Sequence, residues 1–152
     1  MLEKAMISGV THTTEETVYH VQGIGAAKLF ETLSGASVNV DTIVQTGPEI
    51  VFSGPTSDAN DTASALDELG VSWTSRGDLG KVSVIGAGMK THPGVASRTF
   101  ATLAELGTEP EIVSTSPIKI ACFVPRDRVE DAVRALHSAF ELDAEEAVRA
   151  HD

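Results

Sequence analysis

The sequence predicts an α+β fold of two βαββαβ units, each an antiparallel sheet with its helices on one face. Three observations carry this prediction. The chain of 152 residues is 41% hydrophobic and only 22% charged, so it can bury a core. The sequence repeats itself with a shift of 70 positions. Within each repeat, the spacing of apolar residues changes between that of a strand and that of a helix.

The repeat is ungapped over most of its length. Residues 26–33 align with residues 96–103, and the same shift pairs similar residues further along: Asp41 with Glu111, Ile43 with Val113, Ile50 with Ile120, and Pro55 with Pro125. The strand before each repeat follows a shift of 63 instead, so the loop after it is seven residues shorter in the first copy. The chain therefore contains two copies of one unit that differ in their first loop.

The first repeat begins with an alternating strand at residues 18–22, which Gly23 and Gly25 end. Apolar residues at helical spacing follow from Ala26 to Leu33, and we expect Gly35 to cap this helix beyond its end. The remaining elements are, in order, a strand over residues 38–45, a turn at Gly47 and Pro48, a strand over residues 49–53, a helix capped by Ser57 or Asp58 that ends near Leu69, and a strand over residues 71–75.

The second repeat predicts the same order of elements. They are a strand over residues 81–86, a helix over about 93–106, strands near 111–116 and 118–124, and a helix over about 127–140. Pro93 suits the first turn of its helix, where the missing N–H is not needed. We therefore divide the chain into an N-terminal segment 1–16, a first unit 17–78, a second unit 79–142 and a tail 143–152. The acidic residues of the tail favour either a solvated helix end or an interaction surface.

Composition narrows the possible partners and locations. The formal net charge of −11 repels phosphate backbones and anionic membrane surfaces, so we expect no nucleic-acid or membrane partner. Residues 1–4 are followed by no long apolar stretch, and no segment is long enough to span a membrane, so we expect a cytoplasmic protein. The single Cys122 lies in an apolar run and is expected to be a small buried hydrophobe rather than a nucleophile.

Catalytic and metal-binding patterns are sparse. No GxxxxGK[ST] loop is present, and Gly86 to Lys90 lacks the rest of such a loop, so we expect no phosphoryl transfer by this chain. His92 before Pro93 suits a loop or helix start, and the other histidines show no spacing typical of metal ligands. We therefore expect no cofactor and no metal.

Residues 80–95 carry the most specific motif of the chain, GKVSVIGAGMKTHPGV. This stretch resembles the second ACT unit of aspartokinases, which reads nearly GKVSLVGAGMKSHPGV. Asn39-Val40-Asp41 with Gln45 is similar to the family pattern NIDMVLQ, and residues 114–116 to ISTS. Residues 6–12 resemble the segment that joins kinase and ACT tandem in that family. The resemblance covers essentially the whole chain and implies ferredoxin-like ACT units.

The resemblance implies a regulatory function. Aspartokinases phosphorylate aspartate with ATP at the head of lysine, threonine and methionine synthesis, and their ACT tandem binds end-product amino acids. Some have a separate β subunit that corresponds to this region and associates with an α subunit. The expected partners are therefore an amino acid, lysine or threonine, and either a second copy of the chain or an α-type subunit. The family also implies that the N-terminal segment supplies a strand to the second unit.

The expected binding site is the loop that leads into the helix at Pro93. Backbone N–H groups at a helix N-terminus attract a carboxylate, and the strand starts near residues 39 and 109 would complete the cleft. The resemblance assigns effector binding to the following residues: Asn39, Gln45, Met89, Lys90, His92, Pro93, Gly94, Val95, Glu109 and Ser116.

The chain departs from the family pattern at several of its binding positions. The Asp-Lys-Pro-Gly loop of the family is missing between Gly23 and Ala26, and Ala96, Glu109 and Pro117 replace a threonine, an asparagine and a glutamate. One hypothesis is that the response to lysine and threonine is lost or changed, because acidic contacts to an ammonium are missing. The other is that these contacts have moved to neighbouring residues.

Two other functions remain open from the sequence. A free-standing ACT amino-acid sensor would act on another enzyme, and copurification with a kinase subunit would separate it from the leading hypothesis. An enzyme that uses the cleft would need converging ionisable residues, for which Lys90, His92 and Glu109 form only a sparse set.

Overall fold

The computed structural model describes residues 7–87 and 92–140, which form two compact units. The first unit comprises residues 15–79, and the second unit combines residues 7–14 with residues from 80 onward. The boundaries predicted at 17 and 79 differ slightly, because β-structure already begins at Glu16. Residues 1–6, residues 88–91 of the predicted effector loop region, and residues 141–152 with the predicted acidic tail lie outside the described residues.

Besides two short 3-10 helices, Thr56–Asp58 and Arg126–Arg128, the described residues contain eight strands and four α-helices. In chain order these are β1 (Ile7–Thr13), β2 (Glu16–Gln22), α1 (Ala26–Gly35), β3 (Thr42–Thr46), β4 (Glu49–Pro55), α2 (Ala59–Leu69), β5 (Ser72–Arg76), β6 (Leu79–Gly86), α3 (Pro93–Glu105), β7 (Ile112–Ser116), β8 (Lys119–Pro125) and α4 (Val129–Ala139). The α+β class is confirmed, with antiparallel sheets in both units.

The two sheets have the same layout, although one is built from separate parts of the chain. The first unit has the strand order β3-β4-β2-β5, and the second has β7-β8-β6-β1. β1 pairs antiparallel with β6, just as β5 pairs antiparallel with β2. The N-terminal strand therefore occupies the sheet position in the second unit that the C-terminal strand occupies in the first.

The core of the first unit lies between one face of its sheet and both helices. Tyr19 of β2 stacks on Phe52 of β4 with ring centroids 4.9 Å apart, and Phe30 of α1 meets Phe52 edge-on at 5.8 Å. Leu33 of α1 and Leu66 of α2 are buried against this group. Buried side chains that are two residues apart on a strand point to the same face of the sheet. Both helices therefore pack on that face.

The core of the second unit is built almost entirely of aliphatic residues. Its buried members come from both sheet and helices and include a residue of the N-terminal strand: Ile7, Val82, Val84, Val95, Leu103, Ile120, Cys122, Val124, Val129, Ala132, Leu136 and Phe140. Burial raises the pKa of the Cys122 thiol to about 11, so at neutral pH it is protonated and packs as a small apolar group.

Two local predictions were wrong, and a third was right only in its position. Residues 38–41 form no strand, and β3 begins at Thr42. Gly35 is the last residue of α1, and the left-handed conformation falls on Ser37 at φ 59° instead. Asp58, one of the two predicted caps, is the N-cap residue of α2, but its carboxylate accepts a hydrogen bond from Asn39 and makes no capping bond to the helix. No helix among the described residues is long and apolar enough to cross a membrane.

Candidate functional site

A cleft of about 410 Å³ lies in the second unit where α3 begins beside the turn between β7 and β8. Pro93 occupies the first helical turn, and His92 precedes it as the N-cap residue, with φ −133° and ψ 81° and no side-chain capping hydrogen bond. The cleft is lined by the residues of this helix start and of the facing hairpin: His92, Pro93, Ala96, Thr115, Ser116, Pro117 and Ile120. The predicted site residues His92, Pro93 and Ser116 are therefore brought together.

The lining of this cleft is more apolar than polar, and it contains no carboxylate among the described residues. Thr115 and Ser116 contribute hydroxyl groups, and the Ser116 Oγ accepts a hydrogen bond of 3.3 Å from the backbone N–H of Ile118. The Ser116 hydroxyl can still donate its own hydrogen to a ligand. A ligand with a positively charged side chain would find no ion-pair partner among these residues, whereas an uncharged polar ligand would find hydroxyl groups.

The other predicted residues around α3 are placed differently. Gly94 lies in the first turn of α3, but the Val95 side chain is fully buried in the core of the second unit. The Val95 N–H donates to the His92 carbonyl over 3.1 Å, so it is used within the helix start. Met89 and Lys90 lie outside the described residues.

Glu109 precedes β7 and is exposed, and it does not line the cleft at α3. The adjacent Thr108 is buried, with its N–H donating to the Leu103 carbonyl over 3.0 Å. The Thr108 Oγ1 accepts a hydrogen bond of 3.2 Å from Arg128. The segment before β7 is thus fastened through Thr108, and Glu109 extends from it into solvent.

Asn39 lines a second cleft, of about 490 Å³, that belongs to the first unit alone. Its lining comes from α1, the following loop and β3: Phe30, Leu33, Ser34, Ser37, Val38, Asn39, Val40 and Ile43. Ile43 is 52% exposed at the rim. Gln45 lies further along β3, where its Nε2 donates to the Gly47 carbonyl over 3.3 Å, and it does not line this cleft.

Several lining residues were not among the predicted site residues. Ala96 and Pro117 were singled out only as departures from the family pattern, and both line the cleft at α3. Thr115 was part of a family-like motif and Ile120 of the repeat, but neither was assigned to the site, because a strand pattern does not show which end faces a helix start. Among the described residues, no group of three or more His, Cys, Asp or Glu side chains is arranged to hold a metal ion.

Comparisons with known proteins place these features in one family. An ACT domain model matches residues 82–140. The chain is 35% identical to an aspartokinase of Corynebacterium glutamicum over 95% of its own length, and it spans about 38% of the length of this curated relative.

Two solved structures are covered almost completely. One, described as aspartokinase alpha and beta subunits, is 32% identical with a TM-score of 0.80, and the match covers 89% of this chain and 99% of the other. The regulatory subunit of aspartate kinase from Thermus thermophilus, in its ligand-free form, is 29% identical with a TM-score of 0.81, and the match covers 88% and 99%.

Proposed function

Because this chain belongs to the aspartokinase family and corresponds to the regulatory part of these proteins, we propose that it binds a free amino acid and assembles with a kinase part whose activity it sets. The regulatory role itself follows from the near-complete match to a regulatory subunit. The amino acid, the assembly with a kinase part and a cytoplasmic location are the finer parts of the proposal.

The observation that carries the proposal is the cleft at the start of α3. Its volume of about 410 Å³ suits a small metabolite. The positive end of the α3 dipole favours a carboxylate, which every free amino acid presents, although Pro93 has no N–H and the Val95 N–H is already bonded to the His92 carbonyl. The Ser116 hydroxyl offers a donor and Ile120 an apolar surface in the same cleft. Asn39 and its own cleft in the first unit are the second proposed effector position.

The lining of the α3 cleft favours an effector with an uncharged side chain. Ala96 and Pro117 stand where the family pattern has a threonine and a glutamate, so a lysine ammonium has no carboxylate to bind among the described residues. We therefore infer that the response to lysine is lost or weakened, and that a small amino acid such as threonine is bound more tightly than lysine.

Calorimetry of the full chain with lysine, threonine and a panel of other amino acids tests this proposal. We expect micromolar to millimolar binding of a small uncharged amino acid and weaker binding of lysine. Ser116→Ala or Asn39→Ala should weaken binding, whereas Thr46→Ala, at the position in β3 that corresponds to Ser116, is the matched control. Binding of lysine more tightly than threonine would contradict the inferred selectivity, and absence of binding to every amino acid would overturn the effector part.

Assembly is tested by coexpression with the kinase part of an aspartokinase. We expect the two chains to copurify, and the bound amino acid to change the rate of aspartate phosphorylation. If the chain binds an amino acid but elutes without the kinase and leaves its rate unchanged, the assembly is wrong. That outcome would instead favour a free-standing amino-acid sensor.

A further inference from the structure

Asn39 is fixed by contacts on both sides of its backbone. Its N–H donates to the Asp58 Oδ2 over 3.0 Å, and Asp41 two residues later donates its N–H to the Ser53 carbonyl over 2.8 Å. On the other side, a Cβ added at Gly54 would lie 2.5 Å from the Asn39 carbonyl oxygen. Only glycine at this position of β4 allows the approach, so the segment before β3 is held firmly against the sheet.

The side chain of Asn39 is oriented by the same carboxylate. The Asn39 Nδ2 donates to the Asp58 Oδ2 over 3.3 Å. A carboxylate only accepts hydrogen bonds, so the NH₂ group of the carboxamide and not its oxygen must face Asp58. The Oδ1 is thereby left as the acceptor of the Asn39 side chain, beside the second hydrogen of the Nδ2, and Asn39 lines the cleft. With a different neighbour the two ends of the carboxamide could exchange.

The second unit lacks this arrangement. Arg128 stands at the position that corresponds to Asp58, and its guanidinium donates to the Leu106 carbonyl over 2.6 Å and to the Thr108 Oγ1 over 3.2 Å. Val124, fully buried, stands at the position of Gly54. Arg128 therefore holds the segment before β7 by donating hydrogen bonds to it. It contacts Thr108 rather than the exposed Glu109. Within the described residues, the oriented acceptor is thus a property of the first unit.

We propose that Asp58 is a positioning residue that turns the Asn39 carboxamide so that its Oδ1 serves as a fixed hydrogen-bond acceptor for the effector. The group that it recognises is a donor, and in a free amino acid this is the α-ammonium. Asp58 acts through Asn39 and does not itself touch the ligand. The cleft of about 490 Å³ around Asn39, with Ser34 and Ser37 in its lining, has room for such a molecule. This inference rests on the proposed binding of an amino acid.

Calorimetry with L-threonine on Asp58 variants of the full chain tests the inference. In Asp58→Asn, the new carboxamide can donate a hydrogen bond to the Asn39 Oδ1. This oxygen is then already occupied when the ligand binds. Loss of one such contact weakens binding by about five- to tenfold. Asp58→Glu keeps an acceptor and should restore binding to within about threefold of the original. The matched control is Asp61→Asn, which removes the same charge from the first turn of α2 without contacting Asn39.

Combining Asp58→Asn with Asn39→Ala distinguishes the positioning role of Asp58 from a purely structural one. If Asp58 acts through Asn39, then Asp58→Asn weakens binding in the original chain but adds nothing in an Asn39→Ala background. A structural or direct electrostatic role would weaken binding in both backgrounds and would overturn the inference. An unchanged affinity in Asp58→Asn, or in Asn39→Ala, would overturn it as well.

NMR spectra of the ligand-free variants, and calorimetry of the unsubstituted chain, distinguish the remaining outcomes. The side-chain amide resonance of Asn39 should shift in Asp58→Asn but not in Asp61→Asn, before any ligand is added. An unshifted resonance contradicts the positioning contact itself. If the unsubstituted chain binds none of the amino acids tested, the proposed function fails, and the role of Asp58 in effector binding fails with it.

Discussion

Two glycines allow strands and loops to approach more closely than any other residue would permit. A Cβ at Gly54 would meet the backbone carbonyl of Asn39, which is held in place by neighbouring hydrogen bonds. A Cβ at Gly80 would meet the side chain of Val129 and lie 3.2 Å from the carbonyl of Thr13. Neither contact can easily give way, because the β-branched Val129 side chain is fully buried and the Asn39 carbonyl belongs to a fastened backbone.

Gly54→Ala is therefore expected to destabilise the first unit. The added methyl group must displace either β4 or the segment at Asn39, which costs about 2 kcal/mol of the free energy of unfolding. Gly35→Ala is the control, since a Cβ added there would have no atom within 4 Å and the residue ends α1. This control should be neutral or stabilising by up to about 1 kcal/mol. Urea unfolding curves measure both, and equal effects of the two substitutions would contradict the role of Gly54.

At the scale of elements, α3 and α4 bind each other's C-terminal ends. The Arg98 side chain of α3 donates to the Ala139 carbonyl at the end of α4 over 2.9 Å, and its guanidinium lies 5.9 Å from the Phe140 ring. Arg128, just before α4, donates to the Leu106 carbonyl at the end of α3. The last carbonyls of a helix lack partners within the helix and carry its negative dipole end, so a cation is favourable there. The two helices thus stabilise each other.

Arg128→Ala should lower the stability of the second unit by more than the partial exposure of the Arg128 side chain suggests. The substitution removes donors from the Leu106 carbonyl and the buried Thr108, which costs about 1–2 kcal/mol. Arg134→Ala is the matched control, because Arg134 is 69% exposed and forms an ion pair with Asp131 at the surface. An exposed pair of this kind contributes at most about 0.5 kcal/mol. Thermal unfolding of both variants measures the difference, and an equal loss would refute the capping role.

At the scale of the whole molecule, the second unit is assembled from two separate parts of the chain. β1 completes its sheet beside β6, and Ile7 is buried in its core at 2% exposure. The 65 residues of the first unit are inserted between these parts. The second unit therefore depends on contacts between residues far apart in sequence, whereas the first unit is continuous.

Removal of residues 1–13 is expected to affect the two units unequally. The second unit loses an edge strand and the Ile7 side chain, whose burial alone contributes about 1.5–3 kcal/mol. Hydrogen exchange should show lost protection for β6 amides while β2 and β4 remain protected, because the first unit keeps its four strands. Equal loss of protection in both units would show that they fold as one cooperative body.

The sequence predicted the fold closely but not every local boundary. The repeat and the alternating patterns predicted the order of strands and helices, residues 80–95 predicted the aspartokinase family, and both are confirmed. Val38 and Val40 suggested a strand, yet Asn39 is fastened to Asp58 and the strand begins later. Ser57 or Asp58 was expected to cap α2, and Asp58 is its N-cap residue, but the hydrogen-bond partner of an Asp cannot be read from its own neighbourhood, so the contact with Asn39 was not predicted.

The sequence by itself determined the class of protein and the order of strands and helices in the two repeats, because these depend on local periodicity and on one specific motif. Only the tertiary structure decided that Val95 belongs to the core, that Ala96 and Pro117 line the cleft, and that Asp58 orients Asn39. These properties arise where segments distant in sequence meet, and the direction of a side chain there is set by packing and by hydrogen-bond partners rather than by its neighbours along the chain.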